Sequence, residues 1–200
     1  MGPEAIGKEA QTGRWLAFAK DGDAGAFASL YEHIAPSLHT WAWLRLRPEQ
    51  RAHMDPADLV QEVWARAYSQ IGTFEGDGSY FRFWIFRIAK NVLLEAMRRG
   101  QRSAAVGGPS TRLQHLGGVL DPATAVSQAV ARDESLALFR ERVEALPEDE
   151  RQLVLHCGLE GLSYAQVAER LQLGEAAVAK RWQRLRARLE GGDLPRFLLA

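Results

Sequence analysis

The chain has 200 residues, of which 46% are hydrophobic and 25% charged, a composition typical of a globular protein with one domain or two small ones. No apolar run reaches the roughly 20 residues that a membrane span requires, and the first residues lack the basic and apolar segments of a secretory signal. Cys157 is the only cysteine, which excludes an intrachain disulfide, and we expect a cytoplasmic protein.

The formal net charge is zero, but the charges are segregated along the chain. Residues 133–150 contain seven acidic residues and two arginines, whereas residues 175–190 contain five basic and two acidic residues. Arginine accounts for 21 of the 25 basic residues. It makes bidentate contacts with phosphate and guanine, although a GC-rich genome produces the same bias.

Apolar residues recur at helical spacing and strand-like alternation is absent, so the sequence predicts an all-α protein. Residues 15–19 predict a first helix that ends at Asp21. Residues 24–44 predict a second helix, bent or restarted at Pro36, and residues 48–51 predict a loop.

A third predicted helix has Asp55 as its N-cap and Pro56 as its first residue. Asp55, Asp58 and Glu62 share one face, which could bind Mg²⁺ or dock a basic helix of a partner. A metal site requires a second carboxylate cluster on a facing helix, and the sequence offers none. Asp55 also serves as a cap and Glu62 as an i, i+4 partner of Arg66, so a solvated or partner-binding face is favoured.

Residues 81–99 predict a helix that follows a loop at residues 72–79 and ends near Gly100. Its core-facing stripe comprises Phe81, Trp84, Ile85, Ile88 and Val92. Aromatic and basic side chains lie off that stripe: Phe83, Phe86, Arg87, Lys90, Arg98 and Arg99. Exposed rings beside cations can stack unpaired bases and hold phosphates. An ordinary amphipathic helix with scattered surface aromatics explains the segment equally well.

Residues 103–123 lack an apolar period and are rich in glycine and serine, which predicts a flexible linker. We therefore divide the chain into a first domain at residues 1–102, a linker at 103–124, a second domain at 125–190 and a tail at 191–200.

The second domain carries a predicted helix-turn-helix. Ser163 and Gln166 form a capping box at the start of a short helix, and a longer helix begins at Glu175. The longer helix has an inward stripe of Val178, Trp182, Leu185 and Leu189 and an outer face of Lys180, Arg181, Arg184 and Arg188. A basic second helix suits the major groove of DNA, although a protein-binding hairpin has the same pattern. Gln172 stands where such turns usually have glycine, so either Gln172 is left-handed or the turn is displaced toward Gly174.

No catalytic constellation is visible in the sequence. The five histidines lie in different predicted elements without ligand spacing: His33, His39, His53, His115 and His156. Cys157 is expected to be a small core residue, and neither a glycine-rich phosphate loop nor a serine elbow occurs. We therefore expect no cofactor and no enzymatic activity.

The order of these parts resembles the extracytoplasmic-function (ECF) sigma factors of bacterial RNA polymerase, over residues 15–189. The stretches that carry the resemblance are Asp21-Gly22-Asp23 with Leu30-Tyr31, Asp58-Leu59-Val60-Gln61-Glu62-Val63, Arg87-Ile88-Ala89-Lys90-Asn91, and Leu146-Pro147 with the helix-turn-helix. A stand-alone helix-turn-helix regulator, the second possibility, explains only the last stretch. An all-helical Mg²⁺-dependent enzyme that uses the acidic face is the third.

The resemblance implies that core RNA polymerase and promoter DNA are the partners. It assigns polymerase docking to Asp58, Gln61 and Glu62. It assigns binding of the −10 element of the promoter to ten residues: Thr73, Glu75, Ser79, Phe83, Trp84, Arg87, Lys90, Asn91, Arg98 and Arg99. It assigns binding of the −35 element to Lys180, Arg181, Arg184 and Arg188. Because Trp84 also lies on the core stripe, Phe83 and Arg87 are the stronger candidates for base contacts.

Three positions depart from the family pattern. Ala176-Ala177 replaces Gly-Thr at the start of the second basic helix, and Glu95 stands where aspartate is usual. Trp41 and Trp43 point to opposite sides of one helix, so we expect one of them to contact an anti-sigma factor or another regulatory protein.

Overall fold

The computed structural model describes residues 3–51, 54–106, 129–130 and 132–190. These residues form helices and turns and no strand, so the predicted all-α class is confirmed. The chain divides into two compact units, Met1–Ala129 and Val130–Ala200. Most of the predicted linker, from residue 107 onward, and the predicted tail lie outside the described residues, and the exact domain bounds stay a prediction.

The described part of the N-terminal unit contains five α-helices: α1 (Pro3–Lys20), α2 (Ala24–Arg45), α3 (Pro48–Arg51), α4 (Pro56–Gln70) and α5 (Gly78–Val106). A 3₁₀ turn, Ile71–Thr73, follows α4. Helices α1 and α4 both pack against α2 and α5. The Asp55 carboxylate accepts the backbone N–H of Ala57 at 2.8 Å, which confirms the predicted N-cap of α4.

The helix bounds differ from the sequence prediction in several places. Helix α1 begins at Pro3 rather than near Trp15, and α2 continues through Pro36. Residues 48–51 form a helical turn rather than a loop, and α5 extends past Gly100. The residues on both sides of Pro36 are buried, and this packing offsets the hydrogen bond that proline cannot make.

Trp64 of α4 is fully buried at the centre of the aromatic core of the N-terminal unit. Its ring centroid lies 4.8 Å from that of Tyr31, 5.5 Å from that of Phe27 and 6.4 Å from that of Phe81. Such ring pairs add to the stabilisation that burial provides. Trp64 therefore fixes α4 against both α2 and α5, which sets the position of the acidic face of α4.

The described part of the C-terminal unit contains four α-helices of at least six residues: α6 (Glu134–Glu144), α7 (Glu148–Leu153), α8 (Tyr164–Leu171) and α9 (Glu175–Glu190). A π-helical turn, Val154–Leu159, directly follows α7. Helix α9 packs against α7 and α8. The predicted inward stripe of α9 is buried, as expected: Val178, Trp182, Leu185 and Leu189.

A short turn at residues 172–174 joins α8 to α9, the two helices of the predicted helix-turn-helix. The Ser163 hydroxyl accepts the Gln166 N–H at 3.3 Å and the Gln166 side chain accepts the Ser163 N–H at 3.0 Å, which confirms the capping box. Gln172 is left-handed, with φ 54° and ψ 43°, and no other non-glycine residue in the described ranges has a positive φ. The first of the two predicted alternatives for this turn is therefore correct.

A buried carboxylate, that of Glu160, supports the helix-turn-helix from within. Its Oε2 lies 3.0 Å from Nδ1 of His156 and 3.7 Å from Nη1 of Arg170, and its side chain is fully buried. Because Arg170 belongs to α8, the carboxylate connects the π turn with the first helix of the pair. Cys157 in the same turn is a core residue, and burial raises the pKa of its thiol to about 12.

Candidate nucleic-acid interface

The acidic face of α4 is partly open to solvent. Asp55 is exposed and Asp58 and Glu62 are half-buried, whereas Gln61 is buried. The Glu62 carboxylate accepts a hydrogen bond from Nε of Arg66 at 2.9 Å, which is the predicted i, i+4 pair. Within the part of the chain that the structure describes, no three His, Cys, Asp or Glu side chains come together as metal ligands would.

Arg66 also reaches across to α5. Its Nη1 and Nη2 donate to Oε1 and Oε2 of Glu95 at 3.0 and 2.8 Å, a bidentate pair. The hydrogen bonds from Arg66 lower the pKa of Glu95, and those to Glu95 raise the pKa of Arg66. Arg66 therefore joins the acidic face of α4 to the surface of α5.

The loop before α5 is built around the buried ring of Phe74. This ring lies 4.9 Å from that of Trp84 and 6.1 Å from that of Phe81, and Nζ of Lys20 lies 5.1 Å from its centroid. A Cβ at Gly76 would come within 2.6 Å of the Phe74 ring, so glycine is what allows the backbone to fold over it. The aromatic contacts hold the loop against the start of α5.

Of the three residues predicted to contact DNA here, two lie in the loop and the third lies in α5. Thr73 and Glu75 are exposed, and the Thr73 hydroxyl donates to a backbone carbonyl of the preceding turn at 3.0 Å. Ser79 lies in the first turn of α5, and its side chain is outside the described part of the structure. Asp77 caps that turn, because its carboxylate accepts the Tyr80 N–H at 3.2 Å.

A continuous exposed stripe, here called the outer stripe, runs along α5. It consists of Tyr80, Phe83, Arg87, Asn91, Leu94 and Arg98, which lie three or four residues apart. The sequence prediction included Phe83, Arg87, Asn91 and Arg98 but missed Tyr80 and Leu94, which are 65% and 50% exposed. Their spacing from the predicted members is the signal that would have identified them.

The remaining aromatic and basic residues of α5 lie off the outer stripe. Phe86 is buried, with its ring 5.8 Å from that of Trp41, so its predicted exposure is wrong. Both α1 and α2 pack on α5, and the arc of α5 that they cover is wider than the single predicted stripe. Trp84 and Lys90 are half-buried and Arg99 is exposed.

The basic face of α9 is open to solvent at all four predicted positions, Lys180, Arg181, Arg184 and Arg188. Two of the arginines are paired with carboxylates of α7. Nη1 of Arg181 lies 3.6 Å from Oδ2 of Asp149, and Nη2 of Arg188 donates to Glu150. Nε of Arg184 bonds to the Lys180 carbonyl at 3.4 Å within α9. Neither Asp149 nor Glu150 was predicted to take part, because no spacing rule relates α7 to α9.

One unit thus presents an aromatic and basic helix surface, and the other presents a helix-turn-helix whose second helix is basic. Together these features are typical of helical nucleic-acid-binding proteins. Residues 9–192 match the family model described as ECF sigma factor, so the chain belongs to the ECF sigma factor family.

Two named relatives agree with the family match. The chain is 31% identical over 168 residues to the ECF RNA polymerase sigma factor SigM of Mycobacterium tuberculosis, which covers 84% of this chain and 77% of the relative. It is 29% identical over 180 residues to the ECF RNA polymerase sigma-E factor of Escherichia coli K12, covering 87% and 90%. A solved structure of CnrH in complex with the cytosolic domain of CnrY is 22% identical, covers 90% of this chain and 96% of that chain, and has a TM-score of 0.42.

Family membership confirms the predicted function. The protein binds core RNA polymerase and directs the initiation of transcription at promoter DNA, and it is not itself an enzyme. The alternatives of a stand-alone regulator and of a magnesium-dependent enzyme do not describe this chain.

Proposed function

We propose that three surfaces divide the work of this sigma factor. The acidic face of α4 docks on core RNA polymerase, the loop before α5 and the outer stripe bind the −10 element, and the basic face of α9 binds the −35 element. The bidentate pair between Arg66 and Glu95 carries the proposal, because it fixes the first two surfaces side by side in one unit. The protein acts in the cytoplasm, where its polymerase is.

Asp58 and Glu62 supply the charge of the docking face. Both are half-buried, and Glu62 is oriented by its hydrogen bond to Arg66. A basic surface on the polymerase would complement these carboxylates and set the register of the complex. Gln61 is buried, so it supports the face from beneath rather than presenting its amide to the polymerase.

The outer stripe suits a single strand whose bases have been unstacked. Tyr80 and Phe83 offer rings for stacking, Asn91 offers an amide to base edges, and Arg87 and Arg98 bind phosphates. Stacking on an aromatic side chain contributes about 1–3 kcal/mol per base, which offsets the few kcal/mol lost when a base leaves the duplex. Lys90 and Arg99 lie beside the stripe and extend its positive charge.

The loop before α5 receives a base that has left the stack. Thr73 and Glu75 are exposed there, and Ser79 follows in the first turn of α5. Trp84 contributes by holding the loop, since its ring packs against Phe74. Its half-buried position favours this supporting role over a direct base contact.

Helix α9 enters the major groove with its basic face. Lys180, Arg181 and Arg184 contact bases and phosphates, and Arg188, near the end of the helix, contacts a phosphate. The exposure of all four side chains supports these roles. Ala176 and Ala177 bring no hydroxyl to the start of the helix, so the long basic side chains carry the recognition.

An anti-sigma factor or another regulatory protein would find a contact at Trp43. Trp41 is fully buried, whereas Trp43 is half-buried, with Cζ of Arg51 4.2 Å from its ring centroid. Trp43 is therefore the member of the pair that a partner can reach. Inhibition that is unchanged by Trp43→Ala would exclude this role.

The docking role is tested by gel filtration of the full chain with purified bacterial core RNA polymerase. The wild-type chain should co-elute with the polymerase, and Asp58→Lys and Glu62→Lys should abolish co-elution. Glu32→Lys is the matched control, because Glu32 is an exposed acidic residue on α2. Circular dichroism should show all three variants folded, and co-elution of folded Asp58→Lys and Glu62→Lys would refute the docking face.

A further inference from the structure

Two carboxylates of α7 occupy part of the basic face of α9. Asp149 lies 3.6 Å from Nη1 of Arg181, and Glu150 accepts a hydrogen bond from Nη2 of Arg188. The two arginines are about two helical turns apart and so lie on the same side of α9. These four side chains line one cleft together with Arg184.

The pairing separates the four basic residues into two classes. Among the described residues, neither Lys180 nor Arg184 pairs with a carboxylate, whereas Arg181 and Arg188 each do. All of these ion pairs are near the surface, with the Arg188 side chain 56% and the Glu150 side chain 26% exposed. Ion pairs in such positions are weak, so another anion can displace the carboxylate.

We propose that the ion pairs with Asp149 and Glu150 compete with DNA for Arg181 and Arg188. Each arginine binds a DNA phosphate only after it has left its carboxylate. This inference rests on the proposed −35 role of α9. Phosphate contacts supply most of the affinity for unrelated DNA, whereas base contacts supply the discrimination between sequences. The two carboxylates therefore compete with DNA phosphates for these arginines and weaken the phosphate contribution, on which binding to unrelated duplexes depends most.

The test uses holoenzyme reconstituted from the full chain and core RNA polymerase, with core polymerase alone as background. Affinities are measured over a range of salt concentrations for two short duplexes: one enriched by the wild-type holoenzyme from a random pool, and one unrelated. The variants are Asp149→Asn and Glu150→Gln. Glu148→Gln is the matched control, because it makes the same charge change in the same turn but pairs with Arg151 of its own helix.

Each variant should bind the unrelated duplex about two- to fivefold more tightly, as expected for the loss of one weak competing pair. The slope of log K against log salt concentration should steepen by about 0.9 for each phosphate gained. In an Arg188→Gln background, Glu150→Gln should gain nothing, because the arginine that it releases is absent.

Two results would overturn the proposal. An equal gain with Glu148→Gln, or a gain from Glu150→Gln without Arg188, would show general charge repulsion in place of specific pairing. Failure of the −35 role is visible separately, because Lys180→Ala and Arg184→Ala would then leave binding to the enriched duplex unchanged. A different result is that Lys180→Ala and Arg184→Ala weaken binding while Asp149→Asn and Glu150→Gln bind as the Glu148→Gln control does. The −35 role of α9 would then stand, and the proposed competition by the two carboxylates would be refuted.

Discussion

Arg66 on α4 and Glu95 on α5 form two parallel hydrogen bonds, 3.0 and 2.8 Å long, between positions 29 residues apart. The Nε atom of the same guanidinium bonds to Glu62 at 2.9 Å. Glu62 belongs to the proposed docking face, and Glu95 is next to Leu94 of the outer stripe. One arginine therefore holds both the surface proposed for the polymerase and the helix proposed for the −10 element.

Replacing Glu95 by glutamine should lower the free energy of unfolding of the N-terminal unit by about 0.5–1 kcal/mol at neutral pH, since the pair is near the surface. Arg66 lowers the folded-state pKa of Glu95. The contribution is therefore present above the unfolded pKa of about 4.3 and is lost as the pH falls through the lower folded value.

Urea unfolding at pH 7 and at successively lower pH, followed by tryptophan fluorescence, measures this difference, because five of the six tryptophans precede residue 107. Glu32→Gln, at an exposed position of α2, is the control for the removal of one carboxylate. A gap between wild type and Glu95→Gln that persists unchanged below pH 4 would contradict the ion-pair explanation.

Alanine substitutions at two phenylalanines one helical turn apart on α5 should affect different properties, DNA binding at one and stability at the other. Phe83 is 37% exposed on the outer stripe, so Phe83→Ala should cost clearly less stability than Phe86→Ala and should lose about 1–3 kcal/mol of binding to unstacked DNA. Phe86 is buried against Trp41, so Phe86→Ala should destabilise the unit by about 3–5 kcal/mol.

Urea unfolding measures the stability of both variants, and permanganate reactivity of thymines in a promoter that the holoenzyme transcribes measures melting. If Phe83→Ala melted the promoter as well as the wild type does, stacking on this ring would be excluded.

The left-handed backbone at Gln172 predicts that glycine at this position would make the C-terminal unit more stable. Gln172→Gly should raise the stability of the C-terminal unit by about 0.5–1 kcal/mol, because glycine adopts this backbone conformation without a steric penalty. Gly161, with φ 67°, gives the opposite comparison, and Gly161→Ala should destabilise the unit by about 1 kcal/mol. Thermal unfolding followed by circular dichroism measures the gain expected for Gln172→Gly and the loss expected for Gly161→Ala. A loss of stability in Gln172→Gly would show that contacts of the Gln172 side chain stabilise the unit by more than its backbone conformation costs.

Patterns within single helices were predicted correctly from the residues. The cap at Asp55, the capping box of Ser163 and Gln166 and the buried stripe of α9 each depend on spacings of a few residues, which the geometry of one helix fixes. The family was also recognisable, because its motifs are short stretches in a fixed order. Helix bounds were less accurate where packing outweighs local preference, as at Pro36.

The tertiary structure alone revealed the partners across helices. The pairs of Arg66 with Glu95 and of Arg188 with Glu150 join residues 29 and 38 positions apart, and the contact of Phe86 with Trp41 buries a ring that periodicity left outside. Helical periodicity gives the direction of a side chain relative to its own axis and carries no information about crossing angles between helices. The sequence could therefore name the helices and their chemistry, whereas the packing of one helix on another decided which charges are paired and which rings remain exposed.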